Sequence, residues 1–138
     1  MTTTETMSNT DLLEKIENCT LPTSEFNHET MLKLAWILIN KYGVEKAIAK
    51  NAALKENYFI NAMNSEKFNI SLSRAYVEIM YYFMEQSSHP QDFNRILNAF
   101  PRLKYNFRNL VKTHYGYNIL KEHRKEEPKG MKPILFTF

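Results

Sequence analysis

Apolar side chains recur every three to four positions from about residue 10 to about residue 120, and nowhere in this chain with the two-residue alternation of a half-buried strand. Side chains at that spacing line one face of an α-helix, which can be buried only by packing against another element. With no strand pattern to supply a sheet, helix must pack on helix. Glycines number three and prolines five in 138 residues, too few for a fold built on tight hairpin turns. The expected fold class is all-α, a compact bundle of about six or seven helices with an extended C-terminal tail.

Breaks in the pattern give the expected organisation: a disordered leader at 1–9, a single helical domain at 10–127 and a tail at 128–138 that docks on the domain or on a partner. Asp11-Leu-Leu-Glu14 has the form of a capping box and opens a short stripe of Leu12, Leu13 and Ile16. Leu21-Pro22-Thr23-Ser24 interrupts the chain before the strongest helix, expected over 25–41. There Met31, Leu32, Leu34, Ala35, Leu38, Ile39 and Tyr42 share one face at about 100° per residue, and Glu29, Lys33 and Asn40 lie opposite. His28 falls on the apolar side, one turn before Leu32. Gly43 occupies a left-handed C-cap position, and the pattern resumes at once with Val44, Ala47, Ile48, Leu54, Tyr58 and Phe59, which predicts an antiparallel helical hairpin.

After the polar gap 64–67, Leu72, Ala75, Tyr76, Ile79, Met80 and Phe83 predict a fourth helix. His89-Pro90 opens a fifth, carrying Phe93, Ile96, Leu97 and Phe100 and stopping at Pro101. Leu103, Phe107, Leu110 and Val111 predict a sixth that runs to near Gly116, with a seventh at 117–126.

The longest apolar run, Leu34 to Ile39, is far short of the about 20 residues a membrane span needs. The opening MTTTETMSNT has neither the basic start nor the apolar core of a signal peptide, and the single Cys19 allows no internal disulfide. A cytoplasmic, reducing location with no membrane contact is the expectation. Net charge is +3, unevenly placed: residues 1–30 hold six acids against Lys15, and residues 100–138 hold nine bases against Glu122, Glu126 and Glu127. The basic end could face the acidic end or meet a polyanion.

At Phe26-Asn-His28 through Ala35-Trp36 the chain resembles a family of small uncharacterised bacterial helical proteins. Their first long helix reads Phe-x-His-x-x-His before an apolar stretch and Ala-Trp, and a later helix starts Tyr-His-Glu-Thr. The stretches that match are 26–60, 68–84 and 93–124, including Ala99-Phe100-Pro101-Arg102-Leu103 and His114 to Leu120. Met31 stands at the place of the second histidine, and Phe68-Asn69-Ile70-Ser71 at the place of Tyr-His-Glu-Thr. The resemblance implies a polar cluster between two helices, of which this chain keeps His28 and Ser71.

The residues themselves bear on several chemistries. Glu25-x-x-His28 has the spacing of helical di-iron ligands, but no second copy precedes His89, His114 or His123, so Glu25 and His28 are a weak metal candidate and no metal or cofactor is expected. Gly-x-Ser-x-Gly and glycine-rich phosphate loops are absent, and no catalytic residue is assigned. Basic residues within 102–125 alternate with aromatics, as in a strand-binding groove, yet on a helix the apolar members turn inward and the bases face water. The aromatic content, 13% of the chain, is the feature packing explains least. His28, Trp36, Asn69 and Tyr76 could line a small ligand cleft. Tyr81 and Tyr82 fall on a polar face, where tyrosine marks an interface, and with the tail residues Ile134, Leu135, Phe136 and Phe138 they are candidates for a homodimer contact. The expected function is a non-enzymatic partner- or small-ligand-binding domain; the alternatives are an enzyme using His28 with a carboxylate, or a weak nucleic-acid binder through 102–125.

Overall fold

Side-chain caps set the starts of the helices that begin at Asn9, His28, Ile70 and Phe93. The structure, a computed structural model, describes residues 7–115. Its regular elements are all helical: α1 Asn9–Glu17, a 3-10 turn Thr23–Glu25, α2 His28–Tyr42, α3 Val44–Asn61, α4 Ile70–Gln86, α5 Phe93–Ala99, α6 Arg102–Tyr105 and α7 Phe107–Tyr115. The predicted helix at 117–126 and the tail at 128–138 lie outside the described residues.

α1 starts earlier than the Asp11 capping box implies. Ser8 is the cap, its hydroxyl accepting from the Asp11 N–H at 3.1 Å, and Met7 packs into the core. Residues 7–9 therefore belong to the fold and not to a leader. The same device recurs: Asn27 accepts from the Thr30 N–H at 3.0 Å, Asn69 from the Leu72 N–H at 3.0 Å and Asp92 from the Arg95 N–H at 3.2 Å. Each satisfies one of the amide groups a helix start leaves without an internal partner. The fifth helix accordingly begins at Phe93 behind Asp92, and His89-Pro90 forms the turn before it.

Gly43 ends α2 and begins α3 by itself, at φ +85°, a backbone region that L side chains rarely adopt. Cys19 takes a left-handed conformation without that freedom, at φ 59°, closing α1 with Thr20 N–H bonded to the Lys15 carbonyl at 2.8 Å.

α2, α3 and α4 pack mutually and enclose the main core; α1 lies on α3, α7 on α4, and α6 against α2 and α7. Leu12, Ile16, Leu34, Leu38, Ile79, Met80 and Ile96 are fully buried there. The helix expected to run unbroken from 103 to 116 is broken at Asn106. Leu103, Phe107 and Leu110 stay buried on both sides of the break, so the apolar spacing alone could not reveal it. Among the described residues no helix is long and apolar enough to cross a membrane.

Candidate functional site

The break at Asn106 has a chemical consequence at His28, the first residue of α2. In a continuous helix the Leu103 carbonyl would accept from the Phe107 N–H. Here it faces the histidine, and His28 Nε2 lies 2.8 Å from it. A carbonyl can only accept, so Nε2 carries the proton. On the neutral ring Nδ1 is then an acceptor, and Tyr76 O–H donates to it at 2.7 Å. One imidazole thus ties together the start of α2, the middle of α4 and the turn of α6. Burial holds its pKa below the ordinary histidine value; Lys55 lowers it further, against the Leu103 hydrogen bond and Glu29, which raise it.

Tyr76 stands at the centre of a layered cluster. The Phe107 ring stacks on it with centroids 4.5 Å apart and planes inclined by 27°. Lys55 Nζ sits over the ring at 3.7 Å from its centroid, on the face Phe107 leaves open. Burial pushes the Tyr76 hydroxyl well above the ordinary tyrosine value. Lys55 is only 3% exposed and, among the described residues, has neither an ion pair nor a hydrogen bond. Burial accordingly drives its amine down from 10.5 to about 7. One turn earlier on α3, Asn51 is also fully buried; its amide donates to the Ser73 carbonyl at 2.9 Å and to Ser73 Oγ at 3.1 Å, while its Oδ1 has no hydrogen-bond partner among the described residues.

The outer side of this cluster is an open cleft of about 430 Å³, whose wall includes His28, Leu72, Tyr76, Phe107 and Arg108. Tyr105 stands at its rim, 79% exposed, beside Lys104, whose ammonium pairs with the Glu29 carboxylate at 2.9 Å. That carboxylate raises the Lys104 pKa.

Of the four residues expected to share a cleft, the structure brings together His28 and Tyr76. Trp36 faces a separate hollow of about 410 Å³ beside α1, its indole N–H donating to the Pro90 carbonyl at 2.9 Å and its ring lying 5.7 Å from Phe93. Asn69 is the α4 cap, a backbone role. Glu25 and His28 do not act as a pair: the Glu25 carboxylate makes itself felt at Tyr58, and both nitrogens of His28 are engaged elsewhere. No group of three or more His, Cys, Asp or Glu side chains that could hold a metal ion occurs among the described residues.

Along 102–112 the arrangement follows the amphipathic expectation, with Leu103, Phe107, Leu110 and Val111 buried and Lys104, Arg108 and Lys112 exposed. Tyr81 is 36% exposed, whereas Tyr82 is half-buried and packs edge-on against Phe83 at 5.2 Å. The tail residues named for a dimer contact lie outside the described residues.

Lys55 escaped the sequence reading, although a signal for it exists. On the α3 wheel it falls inside the arc between Leu54 and Phe59, in line with Ala47 and Tyr58. A lysine at such a position ordinarily snorkels to water, and this one does not. No protein-family model, no curated protein and no solved structure matches this chain.

Proposed function

We propose that this chain is a non-enzymatic helical binding domain whose ligand is a small molecule held in the cleft between α2, α4 and the α6–α7 turn. The observation that carries this reading is the His28–Tyr76 pair, a hydrogen-bonded couple of a half-buried imidazole and a buried tyrosine at the back of an open hollow lined by aromatic rings. Ligand sites combine mainly apolar walls with a few fixed polar groups, and volumes of about 300–1,000 Å³ are usual. Binding fits better than catalysis because His28 spends one nitrogen on Leu103 and the other on Tyr76, leaving no free lone pair for proton abstraction. Membership of the small bacterial helical family that the Phe26-Asn-His28…Ala35-Trp36 stretch resembles is proposed on that pattern.

A fragment screen by proton–nitrogen correlation spectra tests this reading. Hits should shift amide signals at 28, 72, 76 and 105–108, and the half-buried Leu72→Trp, which fills the hollow, should abolish them without unfolding the protein. Hits that gather instead at the Trp36 hollow, or that survive Leu72→Trp unchanged, would refute it.

A further inference from the structure

The charge around the cleft points past a generic small ligand. Among the described residues its walls contain no carboxylate, while two cations, Lys104 and Arg108, stand at them. Lys104 is already matched to Glu29, but Arg108 is exposed and has no ion pair among the described residues. Behind the wall, the Lys55 amine adds positive potential through the Tyr76 ring only in its protonated form, which burial disfavours. His28 contributes a neutral imidazole, its protonated form disfavoured by burial and by Lys55. Among the described residues the charge left unmatched at the cleft is therefore the Arg108 guanidinium, whose donors have no ion-pair partner there.

Shape supplies the second constraint. Tyr105 leaves most of its ring in solvent at the mouth, with the Lys104 ammonium 5.6 Å from its centroid. A flat ring can lie on it while an acidic group reaches Arg108, three residues further along the chain. Guanidinium binds carboxylate, sulfonate or phosphate oxygens through paired N–H donors, a contact stronger than an ordinary hydrogen bond.

We infer that the ligand of this cleft is a small planar aromatic anion, stacked on Tyr105 with its acidic group on Arg108. This rests on the cleft being the ligand site. Three matched probes separate the parts: 2-naphthoate, the neutral 2-naphthalenemethanol and the non-aromatic cyclohexanecarboxylate, each titrated by NMR into the full chain. Naphthoate should shift the amides of 104–108 saturably, with the other two at least about tenfold weaker, the alcohol for want of the charge-assisted contact and cyclohexanecarboxylate for want of the aromatic stack. Arg108→Ala and Tyr105→Ala, both at exposed positions, should each weaken naphthoate while leaving the spectrum of the folded protein in place.

If naphthalenemethanol or cyclohexanecarboxylate binds the cleft as tightly as naphthoate, the ligand site stands and the aromatic anion is wrong. If none of the three perturbs the cleft, the aromatic anion is wrong, and the fragment screen alone decides whether the ligand site stands. An oligothymidylate that binds far more tightly than naphthoate, with steep salt dependence, would make the surface a nucleic-acid groove and overturn the inference.

Discussion

α2 and α3 are joined by a single glycine and pack along one another, yet they bury opposite chemistries. α2 sends Leu32, Leu34, Ala35, Leu38 and Ile39 inward, and Thr30 is its one buried polar residue. α3 buries only four side chains, Ala47, Asn51, Lys55 and Tyr58, and two of them are an amide and an amine. The dry helix supplies cohesion. The wet one gives some of it up, because an amine held away from water without a partner disfavours its own charged form. Evolution tolerates such a group mainly where it serves a site, and here it stands directly behind Tyr76 and the cleft.

The contrast can be broken first on its dry side. Leu38 is fully buried, so Leu38→Ala should cost about 2–5 kcal/mol, read from the urea midpoint at constant slope. A loss below about 1 kcal/mol would mean that α2 is not the packed element described.

On the wet side the sign reverses. Lys55→Met keeps the apolar stem and removes the amine, and should stabilise the protein by about 1–3 kcal/mol at pH 6, partly offset by the lost contact with the Tyr76 ring. The effect depends on pH. The folded-state pKa of Lys55 is depressed to about 7 from 10.5, so the unfolded chain holds the extra proton between those values. Wild-type stability should therefore fall as pH drops from about 10 to 7 and change little from this source below 7. His28, also depressed, adds a further loss as pH falls through its range. Tyr76 is raised, so its contribution is complete below the ordinary tyrosine value and is lost as pH rises beyond it. In Lys55→Met the slope between pH 7 and 10 should flatten; an unchanged slope would place the titration elsewhere.

A smaller effect sharpens the same boundary. Tyr76→Phe keeps the stacked ring and leaves His28 Nδ1 without its donor, at a cost of about 1–2 kcal/mol. The variant should also raise the His28 titration midpoint, since the neutral form loses the donor that favoured it. A Tyr76→Phe protein with both stability and His28 titration unchanged would dissolve the pair.

Much of α2 and α4 was legible because their apolar residues follow one uninterrupted helical stripe, and Gly43 sits where only a residue free to take positive φ is comfortable. His28 and Tyr76 could be suspected from the polar atoms they carry on that stripe. Three things were not legible. Asn106 breaks a helix without disturbing the spacing of Leu103, Phe107 and Leu110, and it is this break that exposes a carbonyl to His28. Asn69 has the same composition whether it lines a cleft or caps a helix, and local backbone geometry decides for the cap. Lys55 carries a charge, and a charge on a wheel is assigned to water unless tertiary packing removes it. For Asn106 and Lys55 the deciding interaction is made with an element distant in sequence.

The most direct measurement is the titration of Lys55 itself, followed through the carbon-13 shift of its ε-methylene in the folded protein. A midpoint near 7 is expected for an amine enclosed over Tyr76 without a counter-ion. A midpoint at the ordinary lysine value of 10.5 would show that the amine reaches water, and the polar interior behind the cleft would not exist.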